Sequence, residues 1–149
     1  MADQPKWKIL IADDNVQNVE LIEAYLSDID CDVITTADGE ETLEMARKTV
    51  PDLILLDIMM PKRSGFEVCR LLKGDPKTKE IAILMVTALR EASDIERGVE
   101  VGTDDFISKP IHKQELLKRV QSLLNIRHYK NELKRTLSYI QSIESGNRQ

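Results

Sequence analysis

The chain has 149 residues, 42% of them apolar and 32% charged, with a net charge of −5. That is enough chain to bury a sizeable core in one domain with a modest appendage, and an acidic balance speaks against general nucleic-acid binding, which draws on basic patches. No apolar run reaches the length of a membrane span, and the start MADQPKWK lacks the long apolar region of a signal peptide, so a cytoplasmic location is expected. The charge is uneven: residues 1–125 hold 16 Lys and Arg against 24 Asp and Glu, whereas residues 126–149 hold 5 against 2. This split predicts two segments, a domain over 1–125 and a basic helical extension over 126–149. Cys31 and Cys69 have neither metal-type spacing nor enough company for a disulfide framework, and read as reduced, buried thiols.

Taken in order, KILIA (8–12) is a short apolar run that ends at Asp13 and Asp14. Val16, Val19, Leu21, Ile22, Tyr25 and Leu26 then recur at helical spacing. CDVITT (31–36) is β-branched and reads as a strand. Asp38-Gly39 reads as a turn and cap before a second helix, which Pro51-Asp52 ends. LILLD (53–57) is a strand apolar on both faces. A third helix covers 64–73, with Gly74 placed to end it. IAILMVT (81–87) is a second fully apolar strand. Ser93 is a candidate cap for a helix running to Val101, closed by Gly102, and Asp105 to Ser108 is a short fifth strand before a final helix from Lys113. Strands apolar on both faces imply a parallel sheet covered by helices on each side. Their alternation with helices implies a doubly wound α/β fold, in which sites form at the carboxyl ends of the strands.

Those ends carry Asp13 and Asp14, Asp57, Thr87 and Lys109. Singly, each has an ordinary use: an Asp can cap the first helix, a Lys can face solvent, a Thr can end a strand. Together they form a chemical set. Three carboxylates near one point repel, and a hard cation relieves that repulsion; carboxylate and water ligands suit Mg²⁺. The absence of His and Cys from the set argues against zinc or copper. Mg²⁺, a lysine and a hydroxyl are the parts that bind a phosphoryl group, and a neighbouring carboxylate can act as its nucleophile. Asp57, from the central strand, is the best candidate.

The residues DD at 13–14, LLDIMMPKRSG with Asp57, Pro61 and Gly65, Thr87-Ala88 and Lys109-Pro110 resemble the receiver domains of two-component response regulators over roughly residues 7–125. The resemblance implies a flavodoxin-like five-stranded parallel sheet of order 2-1-3-4-5. It implies that Asp57 accepts a phosphoryl group from a sensor histidine kinase or phosphotransfer protein. Asp14 would bind Mg²⁺ directly and Asp13 through water, with the Met59 backbone carbonyl as a further ligand. Thr87 would bond a phosphoryl oxygen and Lys109 would pair with the phosphoryl group, its bond to Pro110 being cis. Phe106 falls at the aromatic switch position that turns inward with the threonine. It has no hydroxyl, so a switch here works by packing. Met59 and Leu89, each two places beyond a key residue, are the positions that tune phosphoryl lifetime. Both are apolar, which implies slow self-dephosphorylation.

The last helix has no Pro or Gly before Gly146, and Leu123, Ile126, Leu133, Leu137 and Ile140 follow a 3-4 repeat interrupted by Lys130 and Glu144. About three heptads are short for a coiled coil, yet a self-associating or signal-transmitting helix is expected. Homodimerisation would use this helix or the face of the fourth and fifth strands. The tail has no room for a DNA-reading module, so the chain is read as acting alone through a partner or as the receiver and linker of a longer regulator. His112 and His128 read as surface residues. Two other functional classes compete with the switch. A Mg²⁺-dependent phosphatase of similar fold would carry its nucleophile after the first strand, where this chain has DDNV. An interaction module without phosphoryl chemistry would not need the full set.

Overall fold

The computed structural model describes residues 6–88 and 92–147. Five strands alternate with five helices: β1 (Trp7–Ala12), α1 (Val16–Leu26), β2 (Cys31–Thr36), α2 (Gly39–Thr49), β3 (Leu53–Asp57), α3 (Gly65–Lys73), β4 (Ala82–Thr87), α4 (Ala92–Val101), β5 (Asp105–Ser108) and α5 (Lys113–Asn147). All strand pairs are parallel, in the order β2-β1-β3-β4-β5. Each strand sends alternate side chains to opposite faces, and both faces are buried. Ile9, Ile11, Leu53, Leu55, Leu84 and Val86 pack beneath α1 and α5. Leu10, Ala12, Ile54, Leu56, Ile83 and Met85 pack beneath α2, α3 and α4. That is why β3 and β4 read as unbroken apolar runs.

The helix starts follow short polar side chains. Asp38 caps α2, accepting from the Glu41 N–H at 2.8 Å, and Ser64 caps α3 through the Glu67 N–H at 3.2 Å. α1 is capped by Asn15, not by either aspartate, which leaves the acid pair free of that duty. Ser93 lies inside the first turn of α4 rather than at its cap, because the helix already starts at Ala92. Gly102 closes α4 in the left-handed region at φ 91°, as glycine allows. Gly74 ends α3 with right-handed torsions and donates its N–H to the Arg70 carbonyl at 3.0 Å.

α5 is one uninterrupted helix of 35 residues. Its first turns place Leu116, Val120 and Leu124 in the core. Leu123 is buried there too, so the exposed part of the 3-4 repeat begins at Ile126. Beyond it Leu133, Leu137 and Ile140 are exposed, with Tyr129 and Ile143 beside them. The changeover is fixed by Arg127, which donates to the Glu80 carbonyl at 2.6 Å and sits 3.6 Å from Asp52. No described helix is long and apolar enough to cross a membrane.

Candidate functional site

β1 and β3 are neighbours in the sheet, so their carboxyl ends bring Asp13 and Asp57 together. Both are nearly sealed from solvent, at 3% and 4% exposure, whereas Asp14 is exposed. One carboxylate oxygen from each of Asp13, Asp14 and Asp57 lies within 4.8 Å of the others. Asp13 accepts from the Asn15 N–H at 2.9 Å and from the Asn18 side-chain amide at 3.4 Å. Asp57 accepts from the Met59 N–H at 3.1 Å. Lys109 Nζ lies 3.6 Å from Asp13 and 3.5 Å from Asp57. Its backbone N–H donates to the Thr87 carbonyl at 2.8 Å, and the Lys109–Pro110 bond is cis. Thr87, at the end of β4, is buried.

The loop after β3 needs its glycines for close approach. A Cβ on Gly65 would lie 2.5 Å from the Asp57 carbonyl oxygen, and the Gly65 N–H donates to the Ile58 carbonyl at 2.8 Å. On the other side, the Gly39 N–H at the start of α2 donates to the Pro61 carbonyl at 3.1 Å, and a Cβ there would collide with the Arg63 backbone. The loop that presents Asp57 is thus held between two helix starts.

Electrostatics at this rim are under-compensated. Burial pushes the Asp57 carboxyl up to about 6, and the adjacent Asp13 charge adds to the rise, against the Met59 N–H and Lys109, which pull it down. The two buried carboxylates share Lys109, and a third lies beside them at the surface. Each donor is a hard oxygen, and among the described residues no nitrogen or sulfur ligand joins the group. This set fits a small divalent cation such as Mg²⁺, which is bound through carboxylates and waters.

Of the expected site residues, Asp13, Asp14, Asp57, Thr87 and Lys109 meet at one rim. Phe106 lies on β5 facing α4, half-buried, and Met59 has an exposed side chain beside Asp57. Leu89 lies outside the described residues. Asn15 and Asn18, which orient Asp13, were not singled out by sequence reasoning. Their signal is present nonetheless, as two asparagines one helical turn apart straight after the acid pair. His112 is exposed and His128 half-buried, and neither belongs to the acid group. A cleft of about 550 Å³ beside Arg47, Lys48 and Arg63 contains none of these site residues.

Residues 9–121 match the family model described as the response regulator receiver domain. The chain belongs to this family. Such receivers are phosphoacceptor modules, phosphorylated by histidine kinases, and the acid pocket of Asp13, Asp14 and Asp57 is typical of them. The receiver is 44% identical over 127 residues to the response regulator PleD of Caulobacter vibrioides, a match that covers 85% of this chain and 28% of PleD. It spans less than half the length of the curated relatives it matches. Among solved structures, it is similar to a response regulator from Chloroflexus aurantiacus, with 34% identity and a TM-score of 0.77 over 81% of this chain and 99% of that one. It also matches the receiver domain of a sensor histidine kinase from Pseudomonas aeruginosa PAO1, at 27% identity and TM-score 0.75, covering 81% and 99% of the two chains. That structure has a magnesium ion coordinated in its active-site cleft.

Proposed function

We propose that this receiver takes a phosphoryl group onto Asp57 from a sensor histidine kinase or phosphotransfer protein. The observation that carries the reading is the grouping of three carboxylate oxygens within 4.8 Å, with Lys109 beside the two buried ones. A carboxylate oxygen of Asp57 forms the new bond to phosphorus, the bond to the donor breaks, and its electron pair leaves with the donor. The Met59 N–H holds the other oxygen and so orients the nucleophile. Lys109 pairs with the incoming phosphoryl charge, and Thr87 offers it a hydroxyl at the end of β4. Asp13, Asp14, Asp57 and the Met59 carbonyl would hold Mg²⁺, which when bound would neutralise the charge that builds up on the phosphoryl oxygens. Asn15 and Asn18 keep Asp13 pointed into the group.

Thr87 and Phe106 form the conformational readout. Residues 1–125 act as the receiver domain and residues 126–149 as an extension that dimerises or passes the signal onward. A second copy is met through this helix or through the face of β4 and β5. The chain works in the cytoplasm, makes no direct contact with nucleic acid, and catalyses only its own phosphorylation and dephosphorylation. Met59 and Leu89 are both apolar and cannot position a water by hydrogen bonding, so the phosphoryl group is long-lived.

The test is incubation with acetyl phosphate and Mg²⁺, read by intact mass. One added phosphoryl group is expected on the wild type and none on Asp57→Ala or in chelator. Unmodified wild type in Mg²⁺, or steady turnover of p-nitrophenyl phosphate, would remove the reading. A half-life of mere seconds for the modified protein would remove the claim of a lasting signal.

A further inference from the structure

α4 carries a glycine in mid-helix, where glycine weakens a helix because of its conformational freedom. Gly98 is neither at a turn nor at the end of α4. What it faces accounts for its presence. A Cβ at this position would lie 2.5 Å from Phe106 Cε1, closer still to Cζ, and 3.4 Å from Met85 Sδ. Carbon atoms in ordinary contact sit about 3.5–4.0 Å apart. The Phe106 ring therefore occupies a notch in α4 that exists only because residue 98 has no side chain. Met85, fully buried and paired with Phe106 across the sheet, adjoins the same notch. The ring packs on the core instead of turning out to solvent.

α4 is also held where it is. The Arg97 guanidinium lies 4.5 Å over the Phe66 ring of α3, and the Cys69 thiol of α3 meets the Val101 carbonyl at 3.5 Å. The Gly98 carbonyl accepts the Thr103 N–H at 3.1 Å. A side chain at 98 would meet a helix with little freedom to withdraw, so the ring would have to leave.

We infer that Gly98 is a positioning residue for the aromatic switch, seating Phe106 inward and so setting how readily the receiver adopts its phosphorylated conformation. The inference rests on the proposed function, in which Phe106 turns inward with Thr87. Phe106 has no hydroxyl, so packing alone holds the ring, and the shape of the notch becomes the control. A ligand that favours one conformation binds more weakly when that conformation is made costlier. Filling the notch therefore weakens any ligand at Asp57 that favours the inward ring.

The experiment measures the affinity of the full chain for beryllofluoride, a phosphoryl mimic, in saturating Mg²⁺ by calorimetry. Wild type, Gly98→Ala, Phe106→Ala and the double variant are compared. Gly98→Ala is expected to weaken binding about fivefold or more, the low end of ordinary coupling between sites. On the Phe106→Ala background the same substitution is expected to change nothing, since no ring remains to displace. Unchanged affinity in Gly98→Ala overturns the inference, as does an equal loss in both backgrounds, which would mark a general structural effect. If Gly98→Ala does not fold, the double variant decides. It must fold and bind as Phe106→Ala does, and its failure to fold overturns the inference. A wild type that ignores beryllofluoride overturns the receiver chemistry itself, a result distinct from binding that is insensitive to residue 98.

Discussion

At the carboxyl ends of the strands, Asp13 and Asp57 are buried and share Lys109 at 3.5–3.6 Å, with Asp57 pushed up to about 6. At the amino ends, the acids are matched individually. Asp52 accepts the Lys8 N–H at 2.9 Å and faces Arg127 at 3.6 Å, while Asp104 accepts the Ile83 N–H at 2.7 Å and pairs with Lys73 at 2.9 Å. One end thus uses charge to hold the fold together, and the other keeps charge in surplus. Surplus negative charge in a closed site lowers stability until a cation or a covalent change relieves it. The comparison teaches that one rim of an otherwise satisfied molecule carries electrostatic tension of the kind a bound cation would relieve.

Four measurements can break or sharpen that contrast. The largest effect is expected from Asp57→Asn in metal-free buffer. In the folded chain the Asp57 carboxyl is raised from 3.8 to about 6. Its proton is held more tightly there than in the unfolded chain, so its contribution to stability is full below pH 3.8 and lost as pH rises through about 6. A rise of that size corresponds to about 2–3 kcal/mol. Urea unfolding near pH 7.5 is expected to show the variant more stable than wild type by about 2 kcal/mol, with the gap closing towards pH 4. Equal stability at pH 7.5 would mean the rim is not under tension.

At the opposite end the sign reverses. Arg127→Ala removes a charge-assisted hydrogen bond to the Glu80 carbonyl and the partner of Asp52, and is expected to cost about 1.5–2 kcal/mol with little change between pH 6 and 8. A third measurement adds Mg²⁺ to the metal-free wild type. At tenfold excess over the dissociation constant it is expected to stabilise by about 1.4 kcal/mol, and far less in Asp13→Asn. Last, the exposed Arg135–Glu132 pair at 3.1 Å on α5 serves as the baseline. Arg135→Ala is expected to change stability by less than about 0.5 kcal/mol in the monomer. A larger loss that grows with protein concentration would point to a partner on that helix.

Much of the fold is legible in LILLD and AILMVT, because strands covered on both faces have no reason to alternate. The acid group is legible for a related reason. Asp57 and the Asp13–Asp14 pair interrupt apolar runs where a parallel sheet must open to solvent, and burial elsewhere would be too costly. The remainder depends on contacts distant in the chain. Nothing near Gly98 reveals that an aromatic ring from β5 rests against it, nor near Gly39 that the Arg63 backbone does. Asn15 displaced the aspartates as the α1 cap because Asp13 is already committed to the sheet edge, where its N–H donates to the Thr36 carbonyl at 3.1 Å. Arg127 looks like one more cation in a basic tail. Its role appears only once the turn before β4 brings the Glu80 carbonyl beneath it.

The unbroken run of α5 past the Arg127 clamp has a mechanical consequence. The 20 residues from His128 to Asn147 extend about 30 Å at 1.5 Å per residue. Geometry makes that length a lever: a 5° tilt at the clamp sweeps the tip sideways by about 3 Å, on the order of two residues of helical rise. Adjustments too small to reshape the body are delivered at the tip as displacements the size of a side chain.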